Sequence, residues 1–443
     1  MPKPNPAKLY GAAFGFNTHR RVKPAHFATG FFLALTGKNY KQRSLNYTIA
    51  LPAKKEPEGK YRLSDLADHL SSEGLVGQAI TVRDIHLIRT HLQSVGDNDD
   101  AVYAMFGKKA GFGADYTVAD PRMISRLKDN DGFSGQFVNS VLLESADGKK
   151  VISLVTQWIY KADSVSAALL APLLNEEHEE TDLSDEHEAK LGKLNEEVFG
   201  ELAHSLGKET QAVLRLCQNC EFMPTEARLR FLVISLGCWI SAYLRKCAAE
   251  TFDTQLILLC DMSNGDSQRL REQSRWSLMR FRETLVASFA RWAEMGRFDE
   301  CLEAWEYVIK EHEGRPPIEE YYRELLLRIG LAQPRGGRIT TKHFELQPDT
   351  LRVLTLSVIR KDEGMIPLPE FLERLFSVWG LCFGGRNLDE NLLVDLGYTG
   401  LDQASDLSPN TESLVSLLVD LGLATRYSDG LVMCHCEPNF NQQ

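Results

Sequence analysis

Residues 231–244 read Phe-Leu-Val-Ile-Ser-Leu-Gly-Cys-Trp-Ile-Ser-Ala-Tyr-Leu, fourteen positions without a charge, closed by Arg230 and Arg245. Such a stretch must be covered on every side. It is too short to cross a bilayer, which takes about 20 apolar residues, and Ser235, Gly237 and Ser241 interrupt it. Thr225 follows Pro224 and precedes Glu226, a helix-start signal. The stretch is therefore expected to be a helix, apolar nearly all round, at the centre of a helical bundle. At 443 residues, 43% apolar and 25% charged, the chain has material for two to four domains with real cores.

The surrounding pattern supplies the bundle. Gln255 to Cys260 is a short β-like run. A long helix is expected from about Ser267 to Met295, and amphipathic helices over Asp299 to Glu311 and Ile318 to Leu331. No repeat period holds across them, which excludes a solenoid. After residue 336 the grammar changes. Helices are expected over Pro348 to Arg360 and Pro369 to Trp379, followed by Gly384-Gly385-Arg386 and a polar loop. Ser408-Pro409 opens a third helix, Asn410 to Leu421, because proline suits the first helical position. Leu423 to Tyr427 and Leu431 to Cys434, joined by Ser428-Asp429-Gly430, form a hairpin. This order of three helices and a two-stranded wing resembles a winged helix.

The first 174 residues mix helix and strand. Leu45 to Leu51 alternates like a strand, and helices are expected over Leu63 to Leu70, capped by Ser64, and Thr81 to Leu92. Phe137 to Glu144 and Val151 to Tyr160 are rich in β-formers around Asp147-Gly148, which predicts a β-hairpin. Residues 176–188 hold eight acids and no base. That segment cannot pack and reads as a linker, or alternatively as a stretch that screens the basic end. The expected fold is thus α+β and predominantly helical: a mixed domain over 1–174, an acidic linker over 175–190, a helical bundle over 191–335, and a winged-helix-like domain over 336–443.

Charge is the strongest functional signal. The first 55 residues contain no Asp or Glu and ten Lys or Arg, whereas the rest of the chain holds 61 acids and 40 bases. A chain polarised in this way is suited to meet a polyanion with one end. Aromatic residues such as Tyr10, Phe14, Phe16, Phe27 and Tyr40 are interleaved with the cations, and rings beside cations suit nucleic acid. The competing reading makes these rings core and the charges a solvated face. Candidate phosphate contacts are Arg20, Arg21, Lys23, Lys38, Lys41 and Arg43. Lys108 and Lys109, in a glycine-rich loop at 107–113, could join them. The long helix adds Arg275 and Arg282, with Trp276 and Trp292 nearby, although Glu272, Glu283 and Glu294 offer its arginines intrahelical partners.

The third helix of the wing carries no Lys or Arg. A helix that reads bases brings Arg, Lys, Asn or Gln to their edges, whereas this one brings Glu412 and Asp420. Protein docking is therefore favoured for it over DNA reading. No phosphate-binding loop of the form GxxxxGK[ST], no GxSxG elbow and no paired-histidine metal motif occurs. Glu188-Ala189-Lys190 has the shape of a nuclease ExK, and Asp147 with Lys149 sits on the expected hairpin without a second acid. The nine cysteines, all beyond residue 216, read as buried thiols of a reducing cytoplasm. Cys217, Cys220 and Cys434-His435-Cys436 have ligand types, but a spacing that chance explains. No metal, cofactor, membrane span or signal peptide is expected.

The helix Arg228 to Arg245, the run Leu256-Ile257-Leu258-Leu259-Cys260-Asp261, the segment Arg269 to Arg282 and the terminal winged pattern together resemble uncharacterised accessory proteins of bacterial DNA-modification and phage-defence islands. The resemblance implies a non-catalytic cytoplasmic subunit working beside an ATPase or a nuclease on foreign DNA. Two alternatives remain: an adaptor whose basic end meets an acidic protein, and a cryptic metal-dependent nuclease.

Overall fold

The uncharged stretch lies inside a 28-residue helix, Thr225–Phe252, that other helices cover. Its most apolar 18-residue window is 89% buried within the protein, so the length and composition that would suit a membrane are used to build a core. The computed structural model describes residues 6–16, 24–36, 134–160, 196–311, 318–334, 338–386 and 388–436. Within these, the helices before the central one are α1 (Pro6–Phe14), α2 (Pro24–Thr36), α3 (Ser134–Leu143), α4 (Ala146–Tyr160), α5 (Glu196–Ser205) and α6 (Gly207–Asn219). The central helix is α7. After it come strand β1 (Leu258–Leu259), α8 (Gln268–Glu294), α9 (Leu302–Glu311), α10 (Ile318–Arg328), β2 (Ala332–Gln333) and β3 (His343–Phe344). The remainder is α11 (Pro348–Val358), β4 (Met365–Pro367), α12 (Leu368–Trp379), β5 (Leu381–Cys382), α13 (Asp389–Asp395), α14 (Ser408–Asp420), β6 (Ala424–Arg426) and β7 (Val432–His435). The described chain is mostly helical with a few short strands, as expected.

Helices α2, α6, α8, α10 and α11 pack on α7. Trp239 and Tyr243 of α7 meet Phe137 of α3 at ring-centre distances of 6.5 and 5.1 Å. The indole nitrogen of Trp239 donates to Thr210 Oγ1 at 3.2 Å, which satisfies its one polar atom inside the core. Helix α8 starts where its cap requires. Ser267 is the N-cap and its Oγ accepts from the Leu270 amide at 3.1 Å.

One expected element is overturned. Residues 134–160 form a helical hairpin and not a β-hairpin. The buried positions explain it. Phe137, Val138, Val141 and Leu142, then Val151, Val155, Trp158 and Ile159, are all shielded from solvent. Their spacing of three and four is the period of a helix, and it outweighs the preference of β-branched residues for strands. Asp147-Gly148 is not a turn between strands but the first turn of α4. The Gly148 amide donates to Ser145 Oγ at 3.0 Å. A Cβ on Gly148 would lie 2.1 Å from the Leu142 carbonyl oxygen, so only glycine fits this close passage.

Three small sheets complete the fold. Strands β1 and β5 pair in parallel, Leu258 with Leu381 and Leu259 with Cys382, and Cys260 bridges to Phe344. Strands β2 and β3 are antiparallel. The last sheet has the order β4-β7-β6, both pairs antiparallel. One set of touching buried residues extends from Leu9 to Cys436. The boundary expected at 335/336 therefore runs through a continuous core. The strand expected at 45–51, the helices at 63–70 and 81–92, and the acidic segment 175–190 lie outside the described residues.

Candidate functional site

Of the candidate phosphate contacts, Arg275 and Arg282 of α8 lie within the described residues, and the arginines of that helix divide into different roles. Arg271 turns inward. Its Nε donates to Asp261 Oδ2 at 2.7 Å, and its Nη2 lies 3.9 Å from Glu345 Oε2. Arg280 also serves the interior, with Nη1 donating to the Leu396 carbonyl and its guanidinium 5.2 Å from the Trp276 ring. Arg291 pairs with Glu294 at 3.0 Å. Arg275 and Arg282 sit seven positions apart on one stripe of the helix, about 10 Å along its axis. Both are half-buried. Arg282 Nη1 approaches Met279 Sδ at 3.5 Å, and Arg275 Nε is enclosed without a hydrogen-bond acceptor among the described residues. Of the cations predicted from sequence, these two are brought onto a common face. Arg20, Arg21, Lys23, Lys38, Lys41, Arg43, Lys108 and Lys109 lie outside the described residues.

The aromatic residues interleaved with the basic end are core wherever they are described. Tyr10, Phe14, Phe16, Phe27, Phe31 and Phe32 are essentially inaccessible. Phe14 packs edge-on against Phe289 and Trp292 of α8 at 5.5 and 5.3 Å. These rings hold the N-terminal helices to the body and offer no stacking platform.

Where β1 ends, a buried polar hub joins three parts of the chain. Asp261 Oδ1 accepts from the amide and hydroxyl of Ser263 at 2.9 and 2.6 Å, while its Oδ2 takes Arg271. His343 Nε2 contacts Glu345 Oε2 at 2.9 Å. Ser267 Oγ donates to Asp406 Oδ1 at 2.6 Å. Asn410, from the first turn of α14, accepts from the Met262 amide at 2.6 Å and donates to the carbonyls of Cys260 and Phe383, both at 2.9 Å. Ser, His, Asp and Glu in one place have the composition of a hydrolytic site. The bonding excludes that role as it stands: Ser263 is held by Asp261 and not by His343, and Asp261, Ser263 and His343 are all buried. The hub joins parts of the fold. Sequence reading passed over it, although an apolar run ending abruptly in Asp261 was its trace.

The third helix of the C-terminal unit leaves Glu412, Ser416, Val419 and Asp420 exposed. Arg426 of β6, a cation close to this helix, pairs with Glu412. On the outer face of the β4-β7-β6 sheet, Met365, Tyr427 and Leu431 are between 39% and 48% exposed, with Tyr427 Oη 3.7 Å from Met365 Sδ.

Among the described residues, no three His, Cys, Asp or Glu are grouped so as to hold a metal ion. Burial pushes the thiols of Cys220, Cys238, Cys247 and Cys434 up to about 12, so they stay protonated. Asp147, a candidate nuclease acid, is bound to Lys150 at 3.0 Å on a helix. Glu188 lies outside the described residues. No protein-family model, curated protein or solved structure matches this chain.

Proposed function

We propose that this chain is a non-catalytic, nucleic-acid-engaging subunit of a cytoplasmic multi-protein complex. One observation carries the reading: ten cations and no acid in the first 55 residues of a chain whose net charge is −11. Phosphate neutralisation by such a segment gives binding that is strong, sequence-tolerant and salt-dependent. DNA is the expected nucleic acid. Bacterial anti-phage defence or DNA processing, beside an ATPase or a nuclease, is the setting in which such a subunit would serve.

The C-terminal unit is assigned to partner docking. Its order α11, β4, α12, α14, β6, β7 and its sheet order β4-β7-β6 support a winged helix with residues 380–407 inserted before the third helix. That third helix has no cation, and Arg426 beside it is neutralised by Glu412. A face of this kind repels a phosphate backbone and suits a protein surface.

Binding of the full chain to single- and double-stranded DNA and RNA across a salt series tests the reading. A variant with Arg20, Arg21, Lys23, Lys41 and Arg43 changed to Glu is measured alongside. Salt-sensitive binding that the variant loses is expected. Absence of binding at low salt overturns the reading and leaves the adaptor alternative. Metal-dependent cleavage of the nucleic acid would revive the nuclease.

A further inference from the structure

Away from the hub, a cleft of about 600 Å³ opens where α5, α7 and α8 all end. That size suits a ligand larger than an ion and smaller than a peptide. The walls carry opposite charges on different elements. Glu201 of α5 and Glu250 of α7 contribute carboxylates, and neither has an ion-pair partner among the described residues. Arg291 and Arg297 contribute guanidiniums. Arg297 is held in place: its Nε donates to the Ala12 carbonyl at 3.1 Å, and its guanidinium lies 4.9 Å from the Trp292 ring. Met295, 70% exposed, supplies apolar surface. The C-termini of α5 and α7 add partial negative charge on the carboxylate side, with the Glu250 and Ala249 carbonyls already accepting from Asp253 and Thr254, and that of α8 lies beside Arg291 and Arg297, whose charges offset it. The thiol in the wall, Cys247, is held protonated by burial, so the cleft is equipped to bind and not to attack.

A ligand that matches has an anionic group at one end, a flat apolar body, and N–H donors at the other end. We propose that the cleft binds a single nucleotide. Its phosphate meets Arg297, with Arg291, which Glu294 holds at 3.0 Å, flanking it, and its base turns an amino edge to Glu201 and Glu250. Guanine, adenine and cytosine carry such amino groups, and uracil does not. The inference rests on the nucleic-acid reading above and deepens it. The same chemistry is offered by a free nucleoside monophosphate and by the terminal nucleotide of a strand.

Calorimetric titration of the full chain with GMP, AMP, CMP, UMP and inorganic phosphate tests it. The amino-bearing nucleotides are expected to bind about tenfold more tightly than UMP, because each amino group gains a charge-assisted hydrogen bond. Changing Glu201 and Glu250 together to Gln, at exposed positions with no ion pair among the described residues, should erase that preference. Arg297→Met should weaken every nucleotide about tenfold, with a thermal melt confirming the fold. UMP binding as tightly as GMP and CMP, or an unchanged affinity in Arg297→Met, overturns the proposal. A 5′-phosphorylated oligonucleotide that displaces GMP identifies a strand end as the source, and one that does not identifies the free nucleotide. The fivefold charge reversal at the basic end leaves mononucleotide binding intact, and the glutamine variant leaves salt-dependent strand binding intact. The two readings therefore fail separately.

Discussion

Arg271 Nε meets Asp261 Oδ2 at 2.7 Å, and the acid side chain is wholly shielded from water while the arginine side chain keeps 24% of its surface. A buried carboxylate deprived of its cation is costly even when other donors remain. Arg271→Met is expected to destabilise the chain by about 3 kcal/mol. The Ser263 amide and hydroxyl keep the loss near the lower end of the range for broken buried pairs. Urea denaturation of the full chain measures it, and a loss below about 0.5 kcal/mol would assign the pair no structural role.

Asn410 satisfies three backbone groups that have no access to water. Asn410→Ala removes the acceptor of the Met262 amide and the side-chain donor to the Cys260 carbonyl, and leaves the Phe383 carbonyl only the Thr411 hydroxyl at 3.4 Å, at an expected cost of about 3 kcal/mol. Asn410→Asp is expected to be worse, since an oxygen would face two carbonyls where an amide now donates. Thermal melts of the two variants give the ranking, and an aspartate variant as stable as the parent would refute it.

The contact of Arg374 with Glu363 predicts a particular acid response. The arginine donates to both carboxylate oxygens, at 2.6 and 3.1 Å, and this holds Glu363 at about 2, below the ordinary 4.5. The depressed folded-state value means that the unfolded chain binds the proton first. The stabilisation is complete above about pH 4.5 and is lost as the pH falls toward 2. Arg374→Met is expected to cost about 1 kcal/mol at neutral pH and to flatten the stability profile in that window. Denaturation midpoints between pH 2 and 6 provide the comparison.

Helices α2 and α3 cross with their backbones in contact. A Cβ on Gly135 would stand 2.0 Å from the Phe27 carbonyl oxygen and 2.3 Å from the Phe31 nitrogen. Because backbone cannot swing aside as a side chain does, Gly135→Ala is expected to separate the two helices, at a cost of about 3 kcal/mol or more. Hydrogen exchange should then quicken in residues 24–36 and 134–143 and stay slow in α7. Unchanged exchange in α2 would show that the crossing is not needed.

Long helices with caps were legible from sequence. Pro224-Thr225, Ser267 and Ser408-Pro409 each mark a start that the structure honours within a residue or so. The helical hairpin at 134–160 was not, because Val138, Val141, Val151 and Val155 look like strand residues until their spacing is weighed. The hub was invisible for a different reason. Asp261, Arg271, Asp406 and Asn410 are scattered along the chain, and no local pattern says that they meet. The inward turn of Arg271 and Arg280 was hidden for the same reason, since only tertiary contacts produce it. Of the proposed nucleic-acid contacts, Arg275 and Arg282 alone fall within described residues, and periodicity sufficed to put them on one stripe.

The parallel pairing of β1 with β5 has a consequence for how the protein is made. The amide of Met262 must wait for an asparagine 148 positions downstream, and apart from the single bridge between Cys260 and Phe344, β1 has no described strand beside it until β5 arrives. Contacts so distant in sequence slow folding, because a large loop must close before they can form. A ribosome that has released α7 and α8 has not released the partners that seal their polar ends. The bundle therefore completes itself only when the C-terminal hundred residues emerge. A stalled or shortened chain would display the fourteen-residue uncharged stretch of α7, making it a ready substrate for chaperones and proteases.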